Sequence, residues 1–268
     1  VVFFIKFIYN YNMKTIQNNL NIQEIKQNLK YEHDIEIFDS IDSTNKYLKS
    51  KINEKKYGTI VISNEQTNGY GKKSRQFMSN KDIGIYMSIL INPNCLIEES
   101  LKITILTSVA ILSAIKSVCN LDVKLKWVND IILNDLKVGG ILCESQINLN
   151  TNIIDNMIVG IGINVKKFDF PSSLKNIATS IENNINNNIS RNKLISEIIN
   201  FFDLYFLEKE DYLKIYKENS YVLGKEISVI QNDEQFNAKA IDIDNNGSLI
   251  VQAQDKIIKL ISSDISIR

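Results

Sequence analysis

Histidine is almost absent from this chain, with His33 the only one in 268 residues. A His-rich zinc site and a Ser-His-Asp hydrolase are therefore both poorly supported. Cysteine is scarce too. Cys95, Cys119 and Cys143 are odd in number, far apart and outside any C-x-x-C spacing, which implies free thiols in a reducing cytoplasm and no disulfide framework. Net charge is lacking as well, since 31 Lys and Arg balance 31 Asp and Glu. No global field would hold such a protein on nucleic acid or an anionic membrane. The apolar stretch Val1 to Tyr9, interrupted by Lys6, falls short of the roughly 20 residues that a membrane span needs. Asn10, Tyr11 and Asn12 make a poor signal-peptide cleavage site. With Met13 close behind, residues 1 to 12 read as upstream translation or a disordered extension, the alternative being a short packing strand.

What is present is a core. At 44% hydrophobic residues, the chain can hold one large domain and a small one. Ile22, Ile25 and Leu29 follow a helical spacing, whereas Ile35 and Ile37 alternate as in a strand. A helix is expected from about 45 to 52, a strand over Thr59 to Ser63 and another over Gly84 to Ile91. Between those strands Asn64 to Asn80 is polar, basic and without apolar periodicity. A loop of that length inside a compact domain is commonly a lid or a binding loop. Ser100 to Val118 has the length and apolar content of a buried helix. It precedes strand-like runs at Val123 to Trp127, Ile131 to Leu133, Val138 to Gln146 and Met157 to Val165. Strands beside helices in this order give an α+β fold. Lys193 to Phe206 and Tyr212 to Tyr216 read as amphipathic helices, and four short strand patterns from Lys225 to Leu260 suggest a small barrel. The organisation is thus an N-terminal extension (1–30), a larger domain (31–220) and a C-terminal β domain (221–268).

Four segments carry chemistry. Asp42-Ser43-Thr44-Asn45 is adequately explained as a helix N-cap, yet its hydroxyls and amide also suit a small polar ligand. Glu65 to Arg75 combines small residues with the cations Lys72, Lys73 and Arg75, which fits a solvated loop or an anion cradle. Lys126-Trp127-Val128-Asn129-Asp130 is followed by Lys137, Gly139-Gly140 and Glu144. Here Lys137 is either an exposed hairpin lysine or a ligand contact, and the glycines mark a bulge or a ligand lying against a strand. In Gly160-Ile161-Gly162-Ile163-Asn164 the two glycines share one strand face and clear space for a flat group. Half of a dinucleotide fingerprint is there, but the third glycine and the following helix are not.

Together and in this order, these segments resemble the biotin protein ligases over about residues 35 to 268. That family shows a D-S-T-N turn, an E-Q-x-x-G-R-G-R-x-G-R loop, a K-W-P-N-D segment with a later K-x-x-G-I-L-x-E, and a G-x-G-I-N strand. The resemblance implies a mixed sheet with flanking helices, like the catalytic domain of class II aminoacyl-tRNA synthetases, plus a small C-terminal SH3-like β-barrel. It also implies an ATP-dependent ligase that activates biotin as biotinyl-5'-AMP and passes it to a lysine of a biotin carboxyl carrier domain. Mg²⁺ would accompany ATP, with no dedicated protein metal ligands. Ser43, Thr44, Asn45, Gln66, Tyr70, Gly71, Lys72 and Lys137 fall at biotin-contacting positions, and Arg75, Asn129, Asp130 and Asn164 on the nucleotide side. Lys137, Asp130 and Arg75 are the expected catalytic residues. Tyr70 and Lys72 stand where the family has arginine, Ser74 where it has glycine and Val128 where it has proline. The expected enzyme is cytoplasmic, with no DNA-reading head and no membrane, and a homodimer is compatible with it. Two alternatives remain. A lipoate or octanoate ligase would share the fold, though its R-R-x-x-G-G-G loop and nearby H-D are lacking here, and a non-catalytic biotin-binding protein would tolerate the lost arginines.

Overall fold

The computed structural model describes residues 19–148, 150–231, 234–261 and 263–267. The expectations for residues 1 to 12 lie outside them. The described chain opens with α1 (Ile22–Gln27), whose N-cap Asn21 accepts from the N–H groups of Gln23 and Glu24. It continues through β1 (Ile35–Phe38), α2 (Thr44–Ser50), β2 (Ile60–Ser63), β3 (Gly84–Ile91), β4 (Cys95–Leu96) and α3 (Leu101–Cys119). Next come β5 (Lys124–Lys126), β6 (Asp130–Leu133), β7 (Leu136–Asn148), β8 (Ile153–Asn164), α4 (Arg191–Phe206) and α5 (Leu213–Glu218). The strands form one sheet in the order β1-β2-β3-β8-β7-β6-β5, with β4 also on β8. Among the described strands β1 and β2 pair in parallel and the rest antiparallel, so the sheet is mixed.

Alternation along the central strands assigns each side chain to a face. Met157, Val159, Ile161 and Ile163 of β8 join the main core with α3 and α4. Ile158 points the other way, into a smaller cluster with Leu48 of α2, Val61 and Leu90. The α3 region, Ile97–Cys119, is apolar enough to cross a membrane by length and composition. Its apolarity answers to burial: Ile105, Val109, Ala110, Ile111, Ala114 and Ile115 are fully enclosed between the sheet and α4.

The C-terminal unit is an antiparallel sheet of β9 (Glu226–Gln231), β10 (Glu234–Ile243), β11 (Leu249–Ala253), β12 (Lys256–Leu260) and β13 (Asp264–Ile267), ordered β12-β11-β10-β9-β13. Sequence patterns indicate four of these strands. The fifth, β13, is a short run whose pairing with β9 becomes visible only in three dimensions. The turn between β10 and β11 rests on α3, where a Cβ on Gly247 would lie 3.0 Å from Ile105. Gly247 has φ +87°, which suits the one residue without a Cβ. Its carbonyl accepts from the buried Trp127 indole Nε1 at 2.9 Å, tying the small sheet to the large one.

Candidate active site

The site is built on the face of the sheet that carries α2. Gly160 pairs with Ser88 on one side and Leu142 on the other, and one step along, Gly162 pairs with Tyr86 and Gly140. This places glycines in the middle of two adjacent rows. The room they leave is taken by the chain itself. A Cβ on Gly160 would fall on the Asn45 amide, and a Cβ on Gly162 would lie 2.6 Å from the Phe77 ring. The flat groups expected over these glycines are therefore a side chain from α2 and one from the loop.

Ser43, Thr44 and Asn45 start α2 and are buried. Ser43 is the N-cap, so the plain capping role and a place in the cavity wall coexist. The Gln66 side-chain oxygen Oε1 accepts from Thr44 N at 2.9 Å and from Thr44 Oγ1 at 3.2 Å. Ser88 Oγ, wholly buried beneath, lies 2.7 Å from Thr44 Oγ1 and 2.6 Å from Asn45 Oδ1. Asn45 Nδ2 donates to Glu144 at 2.9 Å. The wall is thus a continuous network of hydroxyls and amides, which gains rigidity from being mutually satisfied.

The polar stretch after β2 folds over this wall. Gln66 N and Phe77 N donate to Ser79 O and Gly69 O, and Tyr70 bridges to Gln76. Gly69 is forced, because a Cβ there would come within 2.5 Å of Ser79 Oγ. At its tip a short 3-10 turn spans Lys72–Ser74, with Lys73 at φ +57° and Ser74 at φ +56°. Ser74, where the family pattern has glycine, therefore sits in the left-handed region that glycine favours. The three tip cations meet the start of β13. Asp264 pairs with Lys73 at 2.9 Å and Arg75 at 3.1 Å, and Lys72 Nζ lies 3.5 Å from Ser263 O. Hydrogen bonding from Lys73 holds the Asp264 carboxyl below its ordinary range, while burial pulls the Lys72 ammonium down.

Opposite the loop, Lys137 of β7 forms an ion pair with Asp130 of β6 at 2.5 Å. Its stem lies along Gly140, where a Cβ would be 3.1 Å from Lys137 Cε, so this glycine gives the lysine its path into the site. Asn129 Nδ2 donates to Ile141 O at 3.0 Å, which fixes the residue before Asp130. The peptide bond between Trp127 and Val128 is cis.

Ser43, Thr44, Asn45, Gln66, Tyr70, Gly71, Lys72, Arg75, Asn129, Asp130 and Lys137 all line one cavity of about 190 Å³. Asn164 does not. Its amide donates to Thr179 O at 3.0 Å, and the neighbouring Ile177 O and Thr179 N bond to the Lys137 backbone, so Asn164 holds the segment that braces Lys137. Phe77, Ser263, Asp264 and Ile265 also line the cavity and were not singled out by sequence reasoning. An aromatic residue two places after the basic run could have signalled Phe77. Nothing local signals the β13 residues.

Comparison with known proteins agrees with this architecture. Residues 37–164 match the Biotin/lipoate A/B protein ligase family, and residues 222–268 match the Biotin protein ligase C terminal domain. The Bifunctional ligase/repressor BirA of Bacillus spizizenii is 30% identical over 263 residues, covering 94% of this chain and 78% of that protein. The chain belongs to the biotin protein ligase family. The Escherichia coli protein of the same name is 26% identical over 234 residues, with 85% of this chain and 72% of that one covered. In fold, the chain is similar to a biotin protein ligase from Aquifex aeolicus solved with biotin and ATP. That match has a TM-score of 0.74 and 22% identity, over 88% of this chain and 99% of the other.

Proposed function

We propose that this ligase joins biotin to a lysine of a carrier domain in two steps within the one cavity. The observation that carries the reading is the juxtaposition of a buried wall of neutral hydrogen-bonding groups with a cationic wall. The first, the buried Thr44, Asn45 and Ser88 with the half-buried Gln66, suits a small polar ring. The second, Lys72, Arg75, Lys126 and Lys137 against the carboxylates of Asp130 and Asp264, suits anions. A carboxylate and a triphosphate must meet for activation. Their repulsion is the barrier that such cations lower, because positioned charge acts more strongly in a partly dry site than in water.

In the first step the biotin carboxylate attacks the α-phosphorus of MgATP, giving biotinyl-AMP and pyrophosphate. Lys137, steered by Asp130 and by the groove over Gly140, binds the carboxylate and then the mixed anhydride in this reading. Among the described residues no cluster of three or more His, Cys, Asp or Glu could hold a metal. Mg²⁺ would arrive on the nucleotide as part of that substrate, keeping most of its waters. In the second step the carrier lysine attacks the activated carbonyl and AMP leaves, with Asp130 orienting or deprotonating the amine. The loop from Gln66 to Ser79 keeps water from the anhydride. The three cysteines are free thiols, which supports a reducing, cytoplasmic setting.

The test is incubation with ATP, Mg²⁺, biotin and an apo carrier domain, read by mass. A gain on the carrier equal to one biotinyl group is the expected result, and exchange of pyrophosphate into ATP without any carrier labelling would remove the transfer step.

A further inference from the structure

Glu144 sits on β7 on the same face as Leu142 and Gly140, one step beyond the cavity rim and behind Asn45. Two donors from distant segments converge on one of its oxygens: Asn45 Nδ2 at 2.9 Å and Tyr70 OH at 2.8 Å. The other oxygen accepts from Lys49 of α2 at 3.1 Å. Burial alone would push this carboxyl up, but the bonds from Asn45, Tyr70 and Lys49 outweigh it and hold the group below its ordinary value. The Tyr70 phenol is pushed up to about 12 by burial and by its bond to Glu144, so it stays protonated and stays a donor.

An ionised carboxylate accepts and never donates. Asn45 must therefore turn its nitrogen toward Glu144 and its oxygen toward Ser88, although the outline of a primary amide would allow either. The same carboxylate is the partner of Tyr70, the loop residue at the position where the family pattern has arginine. One side chain thus sets the polarity of the ligand wall and holds the loop above it. A phenol gives a carboxylate a single charge-assisted hydrogen bond, while a guanidinium would offer two in parallel.

We propose that Glu144 is a positioning residue that couples the orientation of Asn45 in the ligand wall to closure of the loop through Tyr70. The coupling rests on the biotin-site reading for its effect on ligand, but the latch itself is a property of the free protein.

Four variants test it: Tyr70→Phe, Glu144→Ala, Glu144→Gln and the double Tyr70→Phe/Glu144→Ala. The readouts are the biotin dissociation rate, the rate of tryptic cleavage after Lys72, Lys73 and Arg75 in the unliganded full chain, and the urea midpoint. Losing a hydrogen bond to a charged group corresponds to roughly a tenfold change. Tyr70→Phe is expected to raise both rates by about that factor, to lower the urea midpoint by no more than the same factor implies, and to speed cleavage at the loop alone, whereas a merely structural role would speed cleavage throughout the chain. The double variant should be no faster than Glu144→Ala. Glu144→Gln, which keeps an acceptor oxygen, should recover part of the loss, and it replaces Glu144→Ala in the cycle if the latter does not fold. Unchanged rates in Tyr70→Phe, or effects of the two substitutions that multiply, would overturn the proposal. If the wild-type protein binds no biotin, the site reading fails while the proteolysis arm still decides the latch.

Discussion

Lys137 and Asp130 face each other across the hairpin of β6 and β7, ammonium to carboxylate at 2.5 Å, with both side chains partly open to solvent. An ion pair in such a place adds little to stability. Its value lies in direction, because the carboxylate holds the ammonium over Gly140 and into the cavity. Lys137→Ala is expected to cut pyrophosphate exchange by about 10²–10³-fold, the range for removing one preorganised charge donor, with little change in the thermal midpoint. Exchange near the wild-type rate would return Lys137 to an ordinary hairpin lysine.

Asp130→Asn separates two roles for the carboxylate. If Asp130 handles the incoming amine, transfer to the carrier falls further than formation of biotinyl-AMP, and this is the expected outcome in single-turnover measurements of each half-reaction. Equal losses in both would mean that Asp130 acts only through Lys137.

Ser74 occupies a left-handed conformation, φ +56°, that costs a non-glycine residue about 1 kcal/mol. Ser74→Gly removes that cost and should favour the closed tip by about fivefold, read as slower tryptic cleavage of the loop. The sign depends on the unfolded chain too, since glycine also loosens the open loop. Faster cleavage would show that this second effect dominates.

Lys72 contacts Ser263 O only at 3.5 Å, a weak hydrogen bond. An arginine at that position presents a planar fork able to grip an anion twice. Lys72→Arg is therefore expected to slow the release of preformed biotinyl-AMP and to lower labelling of bystander lysines. Equal release rates in both proteins would mean that backbone contacts alone latch the loop.

Much of this site was legible in the sequence because its parts are local. The D-S-T-N turn, the basic loop, Lys137 with its glycines and the G-x-G strand each sit where a cap, a long loop or an alternating strand would place them, and the fold brings them to one sheet face. What sequence could not show is what joins them. Asp264 is 189 residues from Arg75, and no periodicity reveals such a pair. The alternation of Gly160 and Gly162 predicts space for a ligand, whereas Asn45 and Phe77, from distant segments, fill it. Asn164 belongs to the same strand motif, yet its side chain turns to Thr179, a choice set by a loop whose course no local pattern dictates.

The lone histidine has a structural use that pH should expose. His33 Nδ1 lies 2.9 Å from Gly58 O and Nε2 lies 2.8 Å from Asp203. Both partners only accept, so the ring satisfies them fully when it carries both protons. Burial lowers its pKa, but the bonds to Asp203 and Gly58 outweigh that and leave it raised. A group raised on folding stabilises fully below its unfolded value, about 6.5, and that contribution disappears as pH climbs through the folded value. The thermal midpoint should accordingly fall from pH 6 to pH 8 in wild type, and His33→Gln should flatten the decline. An identical decline in the variant would assign it to other groups.

The bond from the Trp127 indole to Gly247 O has a thermodynamic corollary. Opening the small sheet alone would strip the Gly247 acceptor from a buried N–H and bare the α3 surface on which the β10–β11 turn rests, a loss on the order of 1–3 kcal/mol for the polar group alone. The two sheets should therefore melt as one cooperative unit, giving a single calorimetric peak in a chain whose sequence reads as two domains.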